Sequence, residues 1–341
     1  MPAAESRRTA VESAAVWRSR GLADTREWTY VLSASERAEI IDAVGEATDR
    51  GHTGSTLTRD AFPLPELSER IGEWTASLHR GRGFVFVRGF PVDELEPDAI
   101  ELAYVGLGLH FGTPVSQDAQ GTLLGHVRDR GVARTGPEVR LYATTHRQDF
   151  HTDGADVIGL LCLQRARRGG ESRIVSSAAL YNEILTRAPH LLDVLYEPMY
   201  WDRNDEQSPG EDPYFRLPVL NDVGGRPRFF YIGWYIRDAQ RHPQVPRLTD
   251  DQLAAMEIIE TIANDPAFHV EMDFQPGDIQ LLNNSVILHS REAYDDSDEP
   301  QRKRHLLRLW LSAHEFAGVE DGLRAGIPRR AATAAGAVPK S

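Results

Sequence analysis

The chain has 341 residues, 41% of them hydrophobic, enough to bury a substantial core as one large domain or two modest ones. Its 51 acidic residues outnumber 38 basic ones, for a net charge of -13, and no basic stripe interleaved with aromatics offsets that excess, so a nucleic-acid partner is excluded. Cys162 is the only cysteine, which leaves no intrachain disulfide framework and no thiolate cluster, and no run reaches the roughly 18 to 20 apolar residues that cross a bilayer. A soluble cytoplasmic protein with no membrane partner is expected.

Arg7 and Arg8 are followed by TAVESAAVWRSR, in which Glu12, Arg18 and Arg20 interrupt any apolar run, so no export signal is read and residues 1–15 are expected to be a flexible tail. Ser35 and Glu36 ahead of Ile40, Ile41, Val44 and Ala47 predict a capped amphipathic helix, and Leu67 to Leu78 and Asp98 to Leu109 predict two more. Between the last two, GFVFVRGFP (Gly83 to Pro91) has the composition of a buried strand. From about Leu123 the pattern changes to short apolar runs (LLGHV, VIGLLCLQ, ESRIVS, RFFYI, FHVEMDF, IQLLNN, SVILHS, HLLRLWLS) broken by Gly, Pro, Asp and Asn. That spacing predicts a sandwich or jelly roll rather than parallel βαβ units. Ser177 to Leu195 and Thr249 to Ala263 read as helices outside the sheets. Residues 197–246, rich in Pro, Asp and Gly and carrying Trp201, Tyr214, Phe215, Tyr231, Trp234 and Tyr235, are too long for a turn and read as a lid-like insertion.

His151 and Asp153 are two apart, so in extended chain both reach one face while Thr152 looks away. His289, 138 residues later in another strand-like run, is the natural third donor. Two imidazoles and one carboxylate leave adjacent positions open on an octahedral ion, the arrangement of non-haem Fe(II) oxygenases. The triplet alone is weak, and a second occurs at His269 and Glu271, but that one sits in a plain alternating strand ahead of a Pro276-Gly277-Asp278 turn. Downstream, Arg304, Leu306, Arg308 and Trp310 share one strand face, where arginines need acid partners. Those partners are either protein carboxylates such as Asp295 and Glu292 or a keto-diacid.

From about Gly83 to Phe316 the sequence resembles the taurine dioxygenase (TauD/TfdA) and clavaminate synthase-like group of iron(II)/2-oxoglutarate-dependent oxygenases. The resemblance rests on FHTDG (150–154), RGGES (168–172), PGDIQLLNN (276–284), HSREAYDD (289–296) and RHLLRLWL (304–311), in that order. It implies a mainly β fold with flanking helices around a double-stranded β-helix, a cupin-like jelly roll. The helical part would cover about 30–112, the jelly-roll core about 83–316 and the whole oxygenase domain 16–322, with a flexible tail over 323–341. It implies Fe(II) held by His151, Asp153 and His289, with 2-oxoglutarate and O2 as co-substrates. Arg304 would grip the distal carboxylate beside Ser172, and Arg308 would serve the substrate or the inner end of the co-substrate. The 15-residue interval from His289 to Arg304 and the 197–246 segment depart from the taurine enzymes and argue against a sulfonate.

The expected activity is hydroxylation of a small carboxylate-bearing molecule, an amino acid or specialised metabolite, with release of succinate and CO2. Arg308, Trp201 and Tyr231 are the candidate substrate contacts. Desaturation or cyclisation by the same chemistry, and a non-catalytic cupin-like binding protein, are the alternatives; a homo-oligomer is compatible with everything above.

Overall fold

The computed structural model describes residues 8–118, 120–131, 141–207, 209–223 and 226–313; the expected tail over 323–341 and the end of the expected core lie outside these residues. Two sheets face each other. The larger runs Thr29–Val31, Phe84–Arg88, Ile279–Asn283, Val157–Gln164, His305–Ala313, Gly112–Pro114, with Leu124–Val127 also pairing with His305–Ala313. The smaller is antiparallel throughout, in the order His269–Met272, Ser172–Ser176, Ile287–Arg291, Gln148–His151.

Side-chain alternation sorts the strands' two faces. Val85, Val87, Leu161, Leu281, Leu307 and Leu309 pack outward against the helices Ala34–Asp49, Ser68–His79 and Pro97–Gly108 through Ile40, Trp74 and Tyr104. Phe84, Phe86, Ile158, Leu282, Leu306 and Trp310 point between the sheets and meet Ile174, Met272 and Ile287. This is a jelly roll with flanking helices, as expected. The faces read for Arg304 to Leu311 hold, with a register shift between His305 and Leu306.

Three local expectations change. The first long helix is capped two residues earlier, by Ser33, whose side chain accepts from the Glu36 amide while the Glu36 carboxylate accepts from the Ser33 amide. The helix read over Ser177 to Leu195 is two, Ser177–Arg187 and Pro189–Tyr196, because Pro189 removes an amide donor and drives Ala188 out of helical geometry (φ -153°, ψ 67°). Residues 8–15, expected to lie in a flexible tail, are held: Arg8 pairs with Asp193 at 2.7 Å, and Val11 and Asn182 exchange backbone and side-chain hydrogen bonds.

The 197–246 segment carries two antiparallel hairpins, Pro198–Asp202 with Tyr214–Pro218 and Leu220–Val223 with Arg226–Phe229, followed by the short helix Gly233–Asp238. With the helices Ser177–Arg187, Pro189–Tyr196 and Asp250–Asn264 it forms a second hydrophobic layer over the outer face of the smaller sheet, where Phe150, Val175 and Leu288 point.

Candidate active site

His151 ends the strand Gln148–His151, and its ladder partner on Ile287–Arg291 is His289, so the two rings lie with centres 4.2 Å apart. Asp153 follows in the turn after the strand. Its amide donates to Asn284 Oδ1 and its carbonyl accepts from Asn284 Nδ2, which fixes that turn to the end of Ile279–Asn283. Thr152 looks away, as expected: its amide donates to the Tyr231 carbonyl and its hydroxyl accepts from the Tyr231 amide. One donor atom from each of His151, Asp153 and His289 lies within 4.8 Å of the others, and all three residues are buried. Among the described residues this is the only such group of three or more His, Cys, Asp or Glu side chains.

Asp153 Oδ1 is 3.9 Å from His151 Nε2, and Oδ2 is 3.8 Å from His289 Nε2. These gaps are too wide for hydrogen bonds and suit donors around a shared ion. His151 Nδ1 lies 2.8 Å from the Asp149 carbonyl, so in a neutral ring it carries the proton and Nε2 presents its lone pair inward. Burial pushes His289 down to about 3 and lowers His151, keeping both rings neutral and able to coordinate. Burial works against the charge of Asp153, but the Arg308 guanidinium and the Trp310 hydrogen bond hold its carboxyl below the usual range. Two imidazoles and one carboxylate converging this way fit Fe(II) with positions left open for other ligands. The second triplet does not converge: His269 Nδ1 faces the Ala263 carbonyl and Glu271 pairs with Arg173 at 2.9 Å.

Arg304 is 4% exposed and has no carboxylate partner among the described residues. Asp295 is taken by Arg168 at 2.6 Å and Glu292 by Arg173, and Asp296 makes no ion pair with Arg304. Its Nη2 makes a long contact of 3.4 Å to the Gly170 carbonyl, and Nη1 has no partner. Gly170 is needed where it stands, at φ +77°: an added Cβ would lie 3.0 Å from Arg304 Nε. Ser172, 4% exposed, lines the same cavity as Arg304, His151 and His289, with its hydroxyl 3.3 Å from Gln280 Oε1. A buried guanidinium beside a hydroxyl, without a protein acid, is an anchor for an external carboxylate.

The tentative substrate contacts fare differently. Arg308 lines the cavity but is engaged, with Nε donating to Gln117 Oε1 at 2.8 Å and Nη1 lying 3.4 Å from Asp153 Oδ2. Trp310 Nε1 donates to the same Asp153 oxygen at 3.0 Å. Arg308 therefore steadies the candidate ligand. Trp201 and Tyr231 belong to the second hydrophobic layer instead of a pocket mouth. Both are fully buried; the Trp201 indole donates to the Leu217 carbonyl at 2.7 Å and the Tyr231 hydroxyl to Glu260 at 2.9 Å. The aromatic that does reach the centre is Trp234, with its ring 4.9 Å from His151, and the Gln148 amide lies 3.1 Å from His151 Nε2. Nothing in the spacing singled out Trp234 or Gln148, whereas alternation does place Trp310 with Arg308 and Arg291 with His289.

The sequence profile of the "Taurine catabolism dioxygenase TauD, TfdA family" matches residues 49–310. The chain belongs to this family. As a TauD/TfdA-family enzyme it is an oxidoreductase that uses Fe(II), 2-oxoglutarate and O2. It is 33% identical over 311 residues to FR-33289 synthase of Streptomyces rubellomurinus, covering 89% of this chain and 90% of the relative. It is 28% identical over 314 residues to the taurine hydroxylase-like protein SAT17 of Stachybotrys chartarum, covering 88% and 79%. An asparagine oxygenase solved with Fe(II), 2S,3S-3-hydroxyasparagine and succinate shares the fold of this TauD/TfdA chain, with TM-score 0.65 at 17% identity over 84% of this chain and 94% of that one. So does the non-haem iron oxygenase OrfP solved with Fe and alpha-ketoglutaric acid, with TM-score 0.62 at 16% identity over 83% and 94%. No described helix is long and apolar enough to cross a membrane.

Proposed function

We propose that this enzyme hydroxylates a C–H bond of a small molecule bearing an acid group, with release of succinate and CO2. Fe(II) is held by His151, Asp153 and His289, and the distal carboxylate of 2-oxoglutarate lies against Arg304 and Ser172. The observation that carries the reading is the pairing of a buried, convergent His-Asp-His set with a buried guanidinium that no described protein acid neutralises, in one cavity. Bound iron and 2-oxoglutarate supply the oxidising power. The protein's part is positional. Arg308 and Trp310 hold one carboxylate oxygen of Asp153, the Asp149 carbonyl sets the tautomer of His151, and the two sheets exclude water.

Trp234 and Gln148 take the substrate-facing places that the sequence assigned to Trp201 and Tyr231. Support for an acidic small substrate comes from the relatives' names as well: one is a uridine-5'-phosphate dioxygenase of Streptomyces, and the asparagine oxygenase and OrfP were solved with hydroxylated amino acids. Residues 16–322 act as one catalytic domain, in the cytoplasm and without nucleic acid or membrane, in keeping with the net charge of -13 and the single buried thiol of Cys162.

The test is oxygen uptake and succinate formation with Fe(II), 2-oxoglutarate and a panel of amino acids, organic acids and nucleotides. Acidic compounds should couple turnover, and His151→Ala should abolish it while the fold survives. A parent rate in His151→Ala would reject the ligand set. Coupling by neutral compounds alone would reject the acid group.

A further inference from the structure

Arg291 is a second buried guanidinium in the same cavity, and nothing derived so far uses it. It stands two residues beyond His289 on Ile287–Arg291, so its side chain leaves the same face of the strand. Across the ladder its partner is Ser172, the hydroxyl placed beside Arg304. Residues directly opposite in antiparallel strands project together, so Arg291 is delivered to the end of the cavity that Ser172 marks.

One edge of Arg291 is occupied: Nη2 donates to the carbonyls of Leu141, Thr144 and His146. The other edge is not. Arg291 is 5% exposed, yet Nε and Nη1 find no acceptor, the same condition as Arg304 Nη1. The ring of Tyr294 lies beside both guanidinium carbons, 5.0 Å from that of Arg291 and 5.2 Å from that of Arg304, and its buried hydroxyl also lacks a partner. Of the nearby acids, Asp295 and Glu292 pair with other arginines, and Asp296, whose Oδ1 accepts from the Arg304 backbone amide and whose Oδ2 is buried without a partner, makes no ion pair with either guanidinium. Two guanidinium groups with unmet N–H donors facing one closed space, and no ion pair to either, suit an anion from outside the protein.

We propose that Arg291 and Arg304 together hold the distal carboxylate of 2-oxoglutarate, with the Tyr294 hydroxyl as a further donor. This deepens the reading of the site given above and rests on it. A single-arginine site and a two-arginine site differ in what survives the loss of one partner, so the test is 2-oxoglutarate affinity, measured calorimetrically on Mn(II)-loaded protein without turnover. Arg304→Gln should retain binding, weakened about 10- to 100-fold, because Arg291 remains. Arg291→Gln should weaken binding about tenfold or more, and the double variant should show none at millimolar co-substrate.

Two results would overturn the proposal. One is loss of all binding in Arg304→Gln, a variant that leaves Arg291 and its loop contacts untouched. The other is an unchanged affinity in Arg291→Gln with a raised KM for the coupling substrate, which would give Arg291 to the substrate's acid group. Failure of the parent protein to bind 2-oxoglutarate would indict the site reading itself, and so is distinguishable from either.

Discussion

Asp153 is the residue on which the centre turns, because each of its oxygens has a different task. Oδ2 receives the Trp310 indole N–H at 3.0 Å and lies 3.4 Å from Arg308 Nη1, while Oδ1 faces His151. A carboxylate held by fixed donors on one oxygen keeps the other aimed, and such outer partners are worth tenfold or more in metal affinity. Trp310→Phe removes the donor and keeps an aromatic ring in the space between the sheets. Metal affinity, read from Mn(II) titration, should fall about 10-fold with little change in thermal stability. An unchanged affinity would mean that Arg308 alone sets the carboxylate.

At the scale of elements, the 197–246 segment shows how local composition and tertiary role diverge. Its Pro, Asp and Gly content reads as a mobile cover. In the fold the segment forms two short hairpins, with Asn204 and Asp205 at φ 50° and 59° between the strands of the first, while apolar residues of the strands face inward. Trp201 stacks 6.0 Å from Phe215 across one hairpin and touches Phe230 at 5.2 Å, and Asp202 beside it is buried against Arg241 and His242. This is a packed layer with a buried ion cluster. Trp201→Ala should therefore act on stability, costing about 3–5 kcal/mol in denaturant unfolding, while 2-oxoglutarate affinity stays near the parent value. Normal stability with impaired substrate coupling would instead restore a lid.

For the molecule as a whole, the sequence carried what depends on period and little of what depends on phase between distant strands. Alternation alone placed His151 with Asp153 and separated Arg304, Leu306, Arg308 and Trp310 from the outward leucines. It could not say that Arg291 would meet Ser172, or which of six aromatics would reach His151, since both follow from ladder register and from how the second layer seats on the smaller sheet.

The same closure that builds the site makes the fold sensitive to acid, because imidazoles buried without charge must gain protons on unfolding. Burial pushes His289 down to about 3 and His305 to about 4, with like-charged neighbours adding to both, and it lowers His151. Each folded value lies below the unfolded one of about 6.5. The stability these groups contribute is therefore intact above about pH 6.5 and drains as pH falls toward 4 and then 3, since only the unfolded chain takes up the protons in that window. His289 alone sets a slope of about 1.4 kcal/mol per pH unit there, and His151 adds to it in the same direction. The metal-free protein should accordingly melt at a clearly lower temperature near pH 5 than near pH 7.5. Stabilisation by added Mn(II) should persist over the same interval, because both ligand rings stay neutral in the folded chain until the pH approaches their lowered values. A melting temperature that holds flat from about pH 7.5 to 5 would show these imidazoles open to water, and the enclosed centre would have to be given up.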